Sequence, residues 1–290
     1  MGYFTNNSFK YFFLLIALAA GCSKTNNEPP PDDNGGGNNT DTTCLISAIS
    51  QANSGSRTES SLSAFYNSNY DVIKLVVYDS ANGIKTFQAE FNYITADSVR
   101  IDPYQYMILD GNKRVRRFVT KSDMSDLPDA DDYVFEYTYG GDGYLSKKDL
   151  YINGSRLANF STAYTYTSGQ LTGCVMTTPS SGNLKVLEST LTYTNSVNIK
   201  NWIYTFPDAM EGYMYLTVLN FGKHVSHPLN KVVTKIYDPP SGTLLDTWTT
   251  NYSNYTIDDN DHVISVEANG DLQQGIAAVY GKTNFYYDCH

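Results

Sequence analysis

Tyr133-Val134-Phe135-Glu136-Tyr137-Thr138-Tyr139, followed by Gly140-Gly141-Asp142-Gly143-Tyr144-Leu145, decides the fold. Aromatic rings occupy every second position from Tyr133 to Tyr139, while Val134, Glu136 and Thr138 lie between them. A period of two selects one face of a pleated strand for burial. The glycine-bearing stretch that follows supplies the positive φ that a tight hairpin turn needs, and Leu145 starts the next apolar run. Phe87-Gln88-Ala89-Glu90-Phe91-Asn92-Tyr93 and Phe160-Ser161-Thr162-Ala163-Tyr164-Thr165-Tyr166 repeat the alternation. Asn82-Gly83, Asp110-Gly111, Ser168-Gly169 and Ser241-Gly242 repeat the turn.

The spacing recurs along the chain. An aromatic or apolar residue closes one run and an apolar residue six positions later opens the next: Tyr66 and Val72, Tyr93 and Val99, Leu109 and Val115, Tyr139 and Leu145, Tyr193 and Ile199, Ile257 and Val263. Tyr166 and Leu171 follow the plan one residue shorter. The steps from Tyr66 to Tyr93, Tyr139 to Tyr166 and Tyr166 to Tyr193 are each 27 residues, room for two strands and two turns. Short turns allow only antiparallel neighbours, because parallel ones need long crossovers. The expected fold is all-β: a large antiparallel meander of hairpin repeats, strongly curved or barrel-like, since a sheet of this size must fold over to bury its aromatic face.

Upstream of the strands the chain changes character twice. Lys10 precedes the apolar run Tyr11 to Ala20, which is too short to span a bilayer but fits the core of a signal peptide. Leu18-Ala19-Ala20-Gly21-Cys22 resembles the lipobox of bacterial lipoproteins, which implies cleavage before Cys22 and acylation of its thiol. Residues 23–43 are Asn-, Pro-, Asp-, Gly- and Thr-rich and have little to bury, so they read as a disordered tether of about 25 Å average reach. The expected organisation is a signal peptide over 1–21, a lipid-anchored tether over 22–43 and an all-β domain over 44–290. The expected location is the outer membrane of the cell envelope. Ser23-Lys24-Thr25-Asn26-Asn27-Glu28 lacks an acidic run, which leaves the surface and periplasmic faces both open.

The Tyr137-x-Tyr139 pair with its Gly-rich turn resembles the tyrosine-rich YD or RHS-type repeats. The whole layout resembles lipoproteins of Bacteroidetes-type bacteria with a domain of unknown function described as porin-like. The tether, Cys44-Leu45-Ile46, Phe221-Gly222-Lys223, Asn230-Lys231-Val232-Val233 and the hairpin from Tyr252 to Ile264 carry that resemblance. It implies fold and location, and no catalytic residue. A membrane-spanning barrel fits poorly, because outward positions would include Glu90, Glu136, Lys147 and Lys200 where a lipid-facing band must be apolar.

Few residues suggest chemistry. Cys44 and Cys289 flank the β domain and form the candidate disulfide of an oxidising compartment, leaving Cys174 as a buried small apolar residue. His224 and His227 would fall on opposite faces of a strand and could converge only in a loop; His262 and His290 stand apart. Asp258-Asp259-Asn260-Asp261 and Asp129-Ala130-Asp131-Asp132 are rich in oxygen but lack the distal glutamate of a calcium loop, and acidic turns are ordinary in hairpins. No nucleophile elbow, phosphate loop or dinucleotide fingerprint is present, so no catalytic residue, metal or cofactor is expected.

A net charge of −10 argues against a nucleic-acid partner, and the basic run Lys113-Arg114-Val115-Arg116-Arg117 reads as a solvated strand. The expected partners are the membrane, through the lipid, and a glycan or peptide ligand held on aromatic platforms. The expected role is a non-enzymatic envelope scaffold; the alternative is an envelope hydrolase whose carboxylates or histidines meet only in the fold.

Overall fold

The computed structural model describes residues 44–52, 60–79, 84–102, 105–121, 132–194, 197–200, 219–271 and 281–289. The signal peptide and tether, with Cys22, lie outside the described residues, as do Asn82-Gly83, Asp129-Ala130-Asp131 and His290.

The described chain is β1 (Cys44–Ala52), β2 (Ser60–Tyr66), β3 (Val72–Asp79), β4 (Ile84–Glu90), β5 (Asn92–Thr95), β6 (Ser98–Asp102), β7 (Gln105–Leu109), β8 (Val115–Lys121) and β9 (Asp132–Tyr139). It continues through β10 (Leu145–Ile152), β11 (Phe160–Thr167), β12 (Gln170–Thr178), β13 (Leu184–Tyr193), β14 (Leu229–Asp238), β15 (Thr243–Ile257), β16 (Val263–Gly270) and β17 (Gly281–Cys289). All belong to one antiparallel meander, and β1 pairs with both β2 and β17, which closes the sheet into a barrel.

Closure explains an oddity of the strand count. In an up-and-down ring β1 can lie antiparallel to the last strand only if the number of strands is even, yet there are 17 segments. β4 pairs with β3 and β5 with β6, and the two are separated only by Phe91, whose amide donates to Ile73 O at 2.8 Å. They are one strand bent at Phe91, so the ring has 17 − 1 = 16 strands.

A round barrel of that size would hold a water-filled channel. This one does not: a continuous apolar cluster draws residues from strands all round the ring, and Leu75, Val99, Leu171, Val263, Val266 and Ala268 are fully buried. The walls must therefore lie close enough to bury each other's side chains, as two packed sheets do.

The six-residue steps mark one end of the barrel, here the lower end, where β2, β5, β7, β9, β11, β15 and β17 finish. Tyr66↔Val72, Tyr93↔Val99, Leu109↔Val115, Tyr139↔Leu145, Ile257↔Val263 and Tyr166↔Leu171 are cross-strand pairs, each beside a register shift. Asx chemistry builds three of the turns. Asn67 Oδ1 accepts from the amides of Asn69 and Asp71, Asp110 Oδ1 from those of Asn112 and Arg114, and Asp258 Oδ1 from those of Asn260 and His262. The fourth residue of these turns, Tyr70, Lys113 or Asp261, takes positive φ; in the turn after Tyr139 a glycine, Gly143, takes that place.

Tyr193 and Ile199 depart from the plan. Tyr193 pairs instead with Leu229, and among the described residues 197–200 and 219–228 lie outside the strands. Residues 197–200 and 219–228 form a strap across the lower end. Val115 donates its amide to Asn220 O, Lys223 to Gly143 O, Ile199 to Ser226 O and Lys200 to Asp261 O, and Gln170 Nε2 donates to Ser226 Oγ. Ile199, Phe221 and Val225 drop from the strap into the core, with Phe221 edge-on to Tyr137 at 5.0 Å.

Candidate functional site

The sequence-flagged residues are distributed over the barrel and are mostly engaged in its architecture. Cys44 and Cys289 are paired residues of β1 and β17 and are joined by a disulfide at the lower end of the closing seam. Cys174 is buried on the inward face of β12, opposite Tyr164 and Ser189. His224 and His227 sit in the strap, where His227 Nδ1 lies 3.0 Å from Val197 O. Among the described residues no three His, Cys, Asp or Glu side chains converge as metal ligands.

The acidic run at 258–261 is turn machinery. Burial by itself pushes the Asp258 carboxyl up, but hydrogen bonds from the His262 amide, the His262 ring and the Asn260 amide outweigh it and hold the group below the usual carboxylate range. His262 is only 2% exposed, with Nδ1 at 3.1 Å from Asp258 Oδ2 and its ring against Tyr287. A group so enclosed has no route to a substrate.

Three of the four cations in the basic run face carboxylates. Lys113 pairs with Asp71 at 2.7 Å, Arg114 with Asp110 at 2.7 Å while lying over the Tyr139 ring, and Arg117 with Glu136 at 3.7 Å. Arg116, the remaining cation of the run, is exposed.

Two arrangements escape the sequence pattern. Lys147 faces outward as the sequence reading expects, although strict alternation from Leu145 would place it inside; the register shift between Leu145 and Lys147 reverses the phase. Lys148 therefore points inward, 2% exposed, opposite Tyr137 and Thr162, with Nζ 5.9 Å from the centre of the Phe135 ring.

The second arrangement lies on the outside of β6 to β10. One row across the strands is Arg100, Tyr106, Val119, Val134 and Tyr151; the next is Ile108, Arg117, Glu136 and Asp149, with Ser161 beyond. Beyond the exposed Arg100 at its β6 end the first row is apolar and aromatic, with Tyr106 39% exposed and Val119 sunk between its neighbours at 7%. The second sets one cation, Arg117, beside two neighbouring carboxylates, Glu136 and Asp149. Lys147 Nζ donates to Asp149 Oδ2 at 2.7 Å, Asp149 Oδ1 is a buried atom with no hydrogen-bond partner, and Arg117 Nε, buried without a hydrogen bond, lies 3.7 Å from Glu136 Oε1. Asp149 faces outward and yet is only 8% exposed. Burial raises the Tyr151 hydroxyl pKa, and Asp149 and Glu136 push it further up while Lys147 opposes them, which places the ring beside the carboxylate row.

Such a surface offers apolar faces, hydrogen-bond donors and hydrogen-bond acceptors in rows two residues apart along the strands, about 7 Å. It lacks the enclosure that acid–base catalysis on a buried bond requires, since the side chains of Glu136 and Lys147 are about half exposed. The outward positions also carry charge around the ring, with Glu188 accepting from Lys185 and from the Tyr237 hydroxyl.

No protein-family model matches the chain, and no curated protein matches it in sequence. Solved structures do share its fold. A porin-like protein from Bacteroides uniformis is similar at 16% identity and a TM-score of 0.57, covering 84% of this chain and 96% of that one. A porin-like protein from Bacteroides vulgatus is similar at 13% identity and a TM-score of 0.53, covering 85% of this chain and 99% of that one. The closed, bent meander described above is thus a fold shared with these two porin-like proteins.

Proposed function

We propose that the chain is an envelope lipoprotein held by acyl chains on Cys22, whose β barrel is a non-enzymatic scaffold that displays a binding surface. The observation that carries this reading is the state of the barrel's interior and lower end. A continuous apolar core fills the space that a solute would cross, and the strap with Phe221 and Val225 covers the end at which Cys44 lies. Mid-strand charges such as Arg117 and Glu136 on the outer face also suit water better than lipid.

Anchoring has a geometric consequence. A tether ending at Cys44 would hold the strapped end toward the membrane and turn the opposite rim away from it. Metabolic labelling with radioactive palmitate tests the anchor. The wild-type protein should take up label and sediment with membranes, and Cys22→Ser should lose the label and appear in the soluble fraction. Equal labelling of both, or no labelling of either, would remove the reading.

A further inference from the structure

We propose that Asp246 and Asp271 guard an open strand edge at the end of the barrel opposite the strap, and that without them β15 pairs edge to edge with β15 of a second copy of this chain. The guard bears on assembly and holds whether or not the barrel carries a ligand.

At 15 residues β15 outruns its neighbour on one side. β14 pairs with it from Thr243 onward, but β16 reaches only Thr250, so among the described residues 243–249 have no strand on the β16 side. Residues 243–247 are all exposed, Leu244 and Leu245 among them. The run Thr243-Leu244-Leu245-Asp246-Thr247-Trp248-Thr249 has no proline and a single charge, Asp246. An extended, apolar and weakly charged edge is a template for another strand. The register shift beside Leu245 alters only the tip, since Asp246, Thr247, Trp248 and Thr249 stand in regular register with Ile236, Lys235, Thr234 and Val233. On two copies the same edge can meet its antiparallel equivalent across a two-fold axis, which makes the second copy the natural occupant.

The amides of that edge are already bonded. Thr249 O accepts from the Asp271 amide at 2.7 Å, so the Thr249 backbone faces the β16 side, and alternation turns the Thr247 amide the same way. The Thr249 amide donates to Asp271 Oδ2 at 3.3 Å and the Thr247 amide to Asp246 Oδ1 at 2.8 Å. Asp246 Oδ2 accepts from the Trp248 indole at 2.6 Å, which fixes the carboxylate beside the edge. Gly270 sets Asp271 in place: its φ is 138°, and a methyl there would collide with Thr249 O. Two donors that an incoming strand needs are thus occupied by carboxylates. Pairing of two copies would break both bonds and gather four negative groups on one seam.

Sedimentation velocity of the mature protein, in a detergent matched to the solvent density, tests the guard. The wild type should sediment as a monomer. Asp246→Ala/Asp271→Ala should pair at the same concentration, with about a twofold gain in sedimenting mass. Adding Leu245→Lys, which puts a charge on the freed edge, should restore the monomer, and circular dichroism should show each variant folded. In Asp246→Ala alone, diluted until it is monomeric, the Thr247 amide should lose its protection from hydrogen exchange. A wild type that is already dimeric, or a folded double variant that stays monomeric, would overturn the proposal. Association that survives Leu245→Lys would place the contact elsewhere and overturn it too, as would Thr247 exchange unchanged by Asp246→Ala.

Discussion

The tyrosine hydroxyls show how single atoms hold this barrel. Tyr66, Tyr139, Tyr255 and Tyr287 each donate to a main-chain carbonyl on the preceding strand, at Ile46, Val115, Leu229 and Val263, so a ring that fills the core also ties two strands at the lower rim. Tyr139→Phe keeps the ring under Arg114 but loses the bond to Val115 O, and we expect a loss of about 1 kcal/mol in urea unfolding. Acid should act on the turn carboxylates. Asp110, like Asp258, is pushed up by burial but held below the usual range by the Arg114 side chain and by the amides of Arg114 and Asn112. Folded values below unfolded ones mean a stabilisation present above about pH 4 and lost as pH falls through the folded values. Urea midpoints measured from pH 6 down to pH 2 should therefore decline in the wild type, and decline less in Asp110→Asn/Asp258→Asn. The Asx turns could be read from sequence because their residues act locally. The outward position of Lys147 was also legible, but the burial of Lys148 was not, since it depends on a single-residue shift beside Leu145.

At the scale of elements, the hairpins were legible and the strap was not. Alternation and six-residue spacing arise from contacts between neighbours in sequence, so Tyr66 and Val72 or Ile257 and Val263 announce their pairing. At Tyr193 and Ile199 the same spacing occurs without a hairpin, because Ile199 is drawn into the end of the barrel by partners far away in sequence. The outer band was hidden for a related reason: Tyr106 and Tyr151 lie 45 residues apart in sequence and meet in one row only through four strands' registers. The strap depends on close approach. Gly222 has φ 92°, and a methyl there would sit 2.5 Å from Gly143 O and 3.1 Å from the Tyr139 ring. Gly222→Ala should lift the strap at a cost of about 1–3 kcal/mol, with faster hydrogen exchange at the Val115 and Lys223 amides. Phe221→Ala removes a ring from the core, and we expect about 3 kcal/mol of destabilisation in the same measurement series. Unchanged exchange in Gly222→Ala would mean that the strap is not held by its contact with Gly143.

For the whole molecule, the seam between β1 and β17 joins the two ends of the described chain, and the bond between Cys44 and Cys289 spans 245 residues. By the chain-entropy argument a link of that span contributes about 5 kcal/mol. Cys44→Ser/Cys289→Ser should therefore lower the urea midpoint strongly, with amides of β1 and β17 exchanging first. Equal midpoints for the oxidised protein and the variant would show that strand pairing alone secures the closure.

The seam also sets a schedule. Because synthesis proceeds from the amino terminus, β1 emerges first and waits for a mate that emerges last, and meanwhile the growing meander carries two raw margins of unpaired amides and carbonyls. Any truncation before Gly281 would make that condition permanent, and a shortened product should aggregate or be degraded rather than persist as a smaller barrel.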